Sequence, residues 1–196
     1  MKVTTKFLTS AVDPEHFPAP GPPEIAFLGR SNVGKSSLLN SLIGTNLARV
    51  SNTPGRTQMI NFFSVYLTPR LSSPPDMLFA DLPGYGYAKV PLEVMGQWSK
   101  FVDPYLAERE PLQLSVCLVD SSIAPQKSDL QLIQWLRKAR RRFTMVATKA
   151  DRLTGNKLKQ SLRVLEQEFG VKPLVYSAKS GAGRDELWRI IRAQLA

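Results

Sequence analysis

The chain has 196 residues, 43% of them hydrophobic, which suits one globular domain with a sizeable core. Its 26 Lys and Arg against 16 Asp and Glu give a net charge of +10, which points to a polyanionic partner and leaves the fold open. One cysteine and one histidine exclude an intrachain disulfide and a His- and Cys-built zinc site.

Residues 1–23 read as an N-terminal arm. Val3 to Ser10 can pair or pack locally, and Pro14, Pro18, Pro20, Pro22 and Pro23 then interrupt regular structure. Residues 24–196 read as a single domain. Glu24 to Leu28 form a short apolar strand. The stretch Gly29-Arg30-Ser31-Asn32-Val33-Gly34-Lys35-Ser36 lies between it and a helix that stops near Gly44. A glycine-rich turn from strand to helix is a phosphate cradle, because backbone N–H groups and the helix N-terminus converge on anionic oxygens. Lys35 would reach the outer phosphates and the Ser36 hydroxyl would hold Mg2+, with Ser37 beside it.

Thr45 to Gln58 has no hydrophobic period and reads as a mobile loop by composition. Met59 to Leu67 and Met77 to Asp81 read as a hairpin. A helix is predicted over Leu92 to Glu108, interrupted near Asp103-Pro104. Strands follow at Leu112 to Asp120, Phe143 to Thr148 and Lys172 to Tyr176. Helices are predicted over Ser128 to Arg140, around Leu158 to Phe169, and from Leu187 to Leu195. Strands alternating with helices predict a three-layer α/β sandwich around a mostly parallel six-stranded sheet, with ligands at the carboxyl ends of the strands. No membrane-length apolar run is present, and Met1 to Ser10 lacks the apolar core of a secretory signal. A cytoplasmic protein that engages no membrane is therefore expected.

Four further segments fall at strand ends. Asp81-Leu82-Pro83-Gly84 offers a carboxylate for the Mg2+ shell, through water, and a Gly84 N–H for a terminal phosphate. A threonine of the loop before the hairpin, Thr57 or Thr53, would complete that shell only when the terminal phosphate is present; spacing alone does not choose between them. In Thr148-Lys149-Ala150-Asp151, Asp151 can accept from the N1–H and amine of guanine, while the Lys149 stem covers the base. Backbone N–H groups of Ser177-Ala178-Lys179 could meet the guanine O6.

Together with Asn52-Thr53-Pro54-Gly55-Arg56-Thr57-Gln58, these segments resemble the EngB (YihA/YsxC) family of ribosome-biogenesis GTPases, within the translation-factor class of P-loop GTPases. The resemblance runs from Glu24 onward. It implies a Ras-like domain, GTP or GDP and Mg2+ as ligands, and association with the large ribosomal subunit or its precursors, with a GTPase regulating cell division or septation as the alternative. It favours Thr57 over Thr53 and brings Gly55 into the nucleotide site; Lys35, Thr57 and Gly84 would serve hydrolysis. Thr148 departs from the commoner Asn of the base motif and is expected to brace rather than read the base.

Tyr85 stands where such GTPases usually carry a water-orienting glutamine, which predicts slow intrinsic hydrolysis completed by a partner or a cation. Asn32 resembles the asparagine of potassium-activated members and is a candidate K+ ligand; its other reading is a loop brace. Basic residues cluster at Arg137, Lys138, Arg140, Arg141 and Arg142, with Lys89, Lys100, Arg184, Arg189 and Arg192 elsewhere, as RNA phosphates would require. A solvated helix face is the alternative. A monomer is expected.

Overall fold

The computed structural model describes residues 3–45, 59–68, 74–85 and 102–195. Seven strands, β1 (Thr4–Ala11), β2 (Glu24–Gly29), β3 (Ile60–Tyr66), β4 (Met77–Asp81), β5 (Leu112–Asp120), β6 (Phe143–Thr148) and β7 (Leu174–Val175), form one sheet in the order β1-β3-β4-β2-β5-β6-β7. The pairings of β2 with β4 and β5, and those of β6 with β5 and β7, are parallel. β3 runs antiparallel to β4 and β1. The sheet thus has seven strands where six were expected. The additional one, β1, comes from the arm and pairs with β3 from Thr4 opposite Tyr66 to Ala11 opposite Ile60.

Central parallel strands must bury both faces, which is why β2 is a continuous apolar run rather than an alternating one. Ile25 and Phe27 point to one face, where they pack with Leu38, Leu39 and Leu42 of α1 (Lys35–Ile43) and with Leu187, Trp188 and Ile191 of α5 (Arg184–Arg192). Ala26 and Leu28 point to the other. There they meet Tyr105 and Leu106 of α2 (described over 102–108), Ile133 and Leu136 of α3 (Lys127–Lys138), and Leu165 and Phe169 of α4 (Gly155–Phe169). The two cores make the three layers. Helix α2 passes through Asp103 and Pro104 without a break in its described part; the predicted helix upstream lies outside the described residues. β7 is shorter than predicted, pairing with β6 only at Leu174 and Val175.

At the amino end of β2, Glu24 is fully buried and charge-paired. Arg109 Nη2 lies 2.5 Å from its Oε1, and the Tyr105 hydroxyl donates to Oε2 at 2.9 Å. Arg109 Nη2 also donates to the Pro18 carbonyl at 2.7 Å, so one guanidinium joins the arm, β2 and the chain after α2. Removing one member of a buried pair strands the other's charge. We therefore expect Glu24→Gln to destabilise the fold by about 3 kcal/mol, read as a Tm fall on the order of 10 °C. An unchanged melting curve would show that Arg109 finds water instead.

Candidate nucleotide site

Parallel strands bring their carboxyl ends to one edge, and the predicted segments meet there: Gly29 ends β2, Asp81 ends β4 and Thr148 ends β6, with Asp120 beside them at the end of β5. The phosphate loop turns on Asn32 (φ 64°) and Gly34 (φ 102°), both in the left-handed region. Gly34 needs no Cβ there and releases the chain into α1, whose first N–H groups, on Lys35, Ser36 and Ser37, have no partner within the helix. Lys35 Nζ is ion-paired with Asp81 Oδ1, and both side chains are largely buried. The loop's lysine and the candidate Mg2+ carboxylate are thus in contact.

The base motif is tied to the same loop. Thr148 Oγ1 lies 2.7 Å from the Val33 carbonyl and 3.0 Å from that of Val119, so its single hydroxyl proton bridges β6 to the phosphate loop. Lys149, itself left-handed at φ 58°, donates to the Asn32 carbonyl at 2.7 Å and to Asp120 Oδ2 at 2.6 Å. Burial pushes the Asp120 carboxyl up, but hydrogen bonds from Lys149 and Ser122 outweigh it and hold the group below the usual carboxylate range. Asp151 is exposed. The Ser177 hydroxyl donates to its Oδ1 at 2.6 Å and is the main cause that keeps its pKa low, so the carboxylate stays ionised at neutral pH.

Ser177's own N–H is taken by the Ala182 carbonyl at 3.0 Å. That corrects one expectation. Its N–H closes the loop, and its hydroxyl is what meets Asp151. Ala178 and Lys179, with Gly34, Ser37, Thr148, Lys149 and Asp151, line a cavity of about 630 Å³ beside α1, open to solvent and large enough for a nucleoside.

Gly84 lies against the phosphate loop. A Cβ added there would lie 3.0 Å from the Ser31 backbone N and Oγ, so a side chain would push the loop by a few tenths of an ångström. The neighbouring Tyr85 points away from the cradle, its hydroxyl donating to Asp129 Oδ1 at 3.0 Å. Gly55, Thr57 and the rival Thr53 lie outside the described residues, as do Lys89 and Lys100. Sequence reasoning passed over Asp120 and Asp129. The first had a signal in its place at the end of an apolar strand; the second, a polar residue in a helix, had none.

Residues 24–149 match the family model described as 50S ribosome-binding GTPase. The chain is 54% identical over 193 residues to the probable GTP-binding protein EngB of Koribacter versatilis, covering 97% of this chain and 94% of that one. The chain belongs to the EngB family of GTP-binding proteins. Its EngB relative from Acidobacterium capsulatum is 56% identical over 192 residues, covering 96% of this chain and 89% of that one. Like other EngB members it is a GTPase, with GTP and GDP as ligands. The fold is similar to the crystal structure of a probable GTP-binding protein EngB (TM-score 0.69, 23% identity, covering 88% and 98% of the two chains). It is also similar to Era bound to MgGDPNP and a 16S ribosomal RNA fragment (TM-score 0.67, 24% identity, covering 86% and 55%). These are Ras-like P-loop GTPase folds, as the resemblance implied. Among the described residues no helix is long and apolar enough to cross a membrane.

Proposed function

We propose that this EngB-family GTPase is a nucleotide-dependent switch that assists assembly of the large ribosomal subunit. The supporting observation is the family match, described as 50S ribosome-binding, on a chain of net charge +10. Gly29 to Ser37 hold the phosphates, Asp151 reads guanine through its two oxygens, and Thr148 and Lys149 lock the base motif onto the phosphate loop. The oxygen-only set Ser36 and Asp81, joined by Thr57, suits Mg2+, and no group of three His, Cys, Asp or Glu among the described residues offers a different metal site. Bound Mg2+ would neutralise phosphate charge. Lys35 and the Gly84 N–H would hold the third phosphate, with Asp81 moving from the Lys35 ion pair to the metal's water shell.

RNA phosphates are the proposed docking chemistry. Part of the basic run is engaged within the protein: Arg137 donates to the Phe169 carbonyl and Arg141 to that of Ala107, each at 2.5 Å. The exposed Lys138, Arg140 and Arg142 are the better candidates for RNA contact. Co-sedimentation with large-subunit precursors in a non-hydrolysable GTP analogue tests the reading. Binding is expected to fall steeply with added salt and to be weaker in GDP. Equal binding in both nucleotides would remove the switch.

Asn32, exposed and left-handed, is the proposed ligand of a K+ ion that would take the place an arginine finger fills in other GTPases. Hydrolysis is expected to run faster in KCl than in NaCl at equal ionic strength, and equal rates would reject the cation.

A further inference from the structure

Beyond the end of β4, the chain carrying Gly84 is held to the phosphate loop by a short set of backbone contacts. Leu82 N–H donates to the Phe27 carbonyl at 3.2 Å, Tyr85 N–H to that of Gly29 at 3.3 Å, and Ser31 N–H to that of Tyr85 at 3.0 Å. Arg30 and Tyr85 form an isolated parallel bridge. Backbone bonds at a strand end, here 3.0 to 3.3 Å among the described residues, fray more readily than those within a sheet unless a side chain anchors them.

The anchor is Asp129. It sits in the first turn of α3, 4% exposed, and accepts from the Tyr85 hydroxyl at 3.0 Å. Its other oxygen lies 3.4 Å from Arg30 Nε, a charge contact whose geometry falls outside a hydrogen bond. One buried carboxylate therefore touches the residue after the Asp-X-X-Gly motif and a residue of the phosphate loop, 44 positions and more away in the chain. Burial raises the Asp129 pKa, with Tyr85 and Arg30 acting against it, and losing the phenol would leave a buried carboxyl oxygen under-satisfied. Burial first, then the Asp129 charge, pushes the Tyr85 pKa well up, so Tyr85 remains a donor across the physiological range.

We propose that Asp129 is a positioning residue for GTP hydrolysis: by latching Tyr85 it holds the Gly84 backbone against the phosphate loop and preorganises the Gly84 N–H for the third phosphate. This rests on the reading of the site as a guanine-nucleotide cradle. Tyr85 is thereby given a role its position in the motif conceals. Its ring is turned into the interface with α3, where it cannot orient water, and what it contributes is the placement of the backbone before it. GDP has no third phosphate and makes no use of that placement, so the latch discriminates between the two nucleotides.

The test compares the wild-type chain with Tyr85→Phe, Asp129→Leu and the double variant, measuring GDP affinity, affinity for a non-hydrolysable GTP analogue, and single-turnover GTP hydrolysis. Tyr85→Phe keeps the ring and removes only the hydroxyl, so the test stands even where Asp129→Leu fails to fold. GDP affinity is expected to stay within about twofold, while analogue affinity and hydrolysis each fall about five- to tenfold. The double variant is expected to match Asp129→Leu, because that substitution already removes the acceptor of the Tyr85 hydroxyl. Equal losses for GDP and the analogue, no loss, a gain for the analogue, or losses that multiply in the double variant would each overturn the proposal. A wild type that binds neither nucleotide would instead overturn the reading of the site.

Discussion

Replacing Asp151 with Asn is expected to lower GTP affinity by about 100-fold while xanthosine triphosphate gains, one charge-assisted hydrogen bond giving way to a donor facing a donor and the other losing its charge, together about 3 kcal/mol. Guanine presents two donors side by side, N1–H and the exocyclic amine, and only an acceptor pair meets both. Asp151 would supply that pair, since the Ser177 hydroxyl holds its Oδ1 at 2.6 Å and keeps its pKa low. An amide turns one acceptor into a donor, which faces the guanine amine and repels it. Xanthine carries a carbonyl there, and the amide's N–H meets it. GDP should lose affinity in parallel with GTP, since the change lies at the base and not at the phosphates. Competition binding with the three nucleotides decides the matter, and unchanged GTP binding would place the base elsewhere.

The candidate site was legible in the sequence where the proposed chemistry calls for particular residue types at strand ends. Gly34 and Lys35 in the phosphate loop, Asp81 after β4 and Asp151 after β6 are of that kind, and parallel topology then forces them to one edge of the sheet. The buried central strands were legible for a related reason: burial on both faces leaves an apolar run that polar loops bracket. β1 was not. It is an edge strand with Phe7 and Leu8 exposed, and a bulge between Phe7 and Thr9 shifts the phase of its alternation, so a period of two never develops. β7 was over-read because Pro173 has no N–H to donate and the strand pairs on one side only. Asp129 was invisible because its burial depends on Tyr85 and Arg30, which only the folded chain brings to it. The same holds for Arg137 and Arg141, whose charges count toward a basic surface in the sequence but satisfy carbonyls of neighbouring segments in the fold.

Lys35→Met is expected to lower affinity for GTP and GDP alike by at least about 100-fold, because a buried cation facing phosphate oxygens is replaced by an apolar chain of similar length. The variant carries a second effect that separates it from Asp81→Asn. Lys35 is ion-paired with Asp81, whose side chain is only 9% exposed, so Met at 35 strands a buried carboxylate. Stability of the nucleotide-free protein should fall by about 1–3 kcal/mol, because the buried carboxylate loses its cation and finds no other partner. Asp81→Asn removes the charge but leaves Lys35 free to reach phosphate. Nucleotide binding without Mg2+ should therefore survive in it, and the gain that Mg2+ gives should shrink. Isothermal titration of both variants with GDP, with and without Mg2+, reads the two patterns apart. If Lys35→Met bound GDP as tightly as the wild type, the phosphates would have to lie outside the loop that Gly29 to Ser36 form. If Asp81→Asn kept the full Mg2+ gain, the metal shell would have to be built from other oxygens.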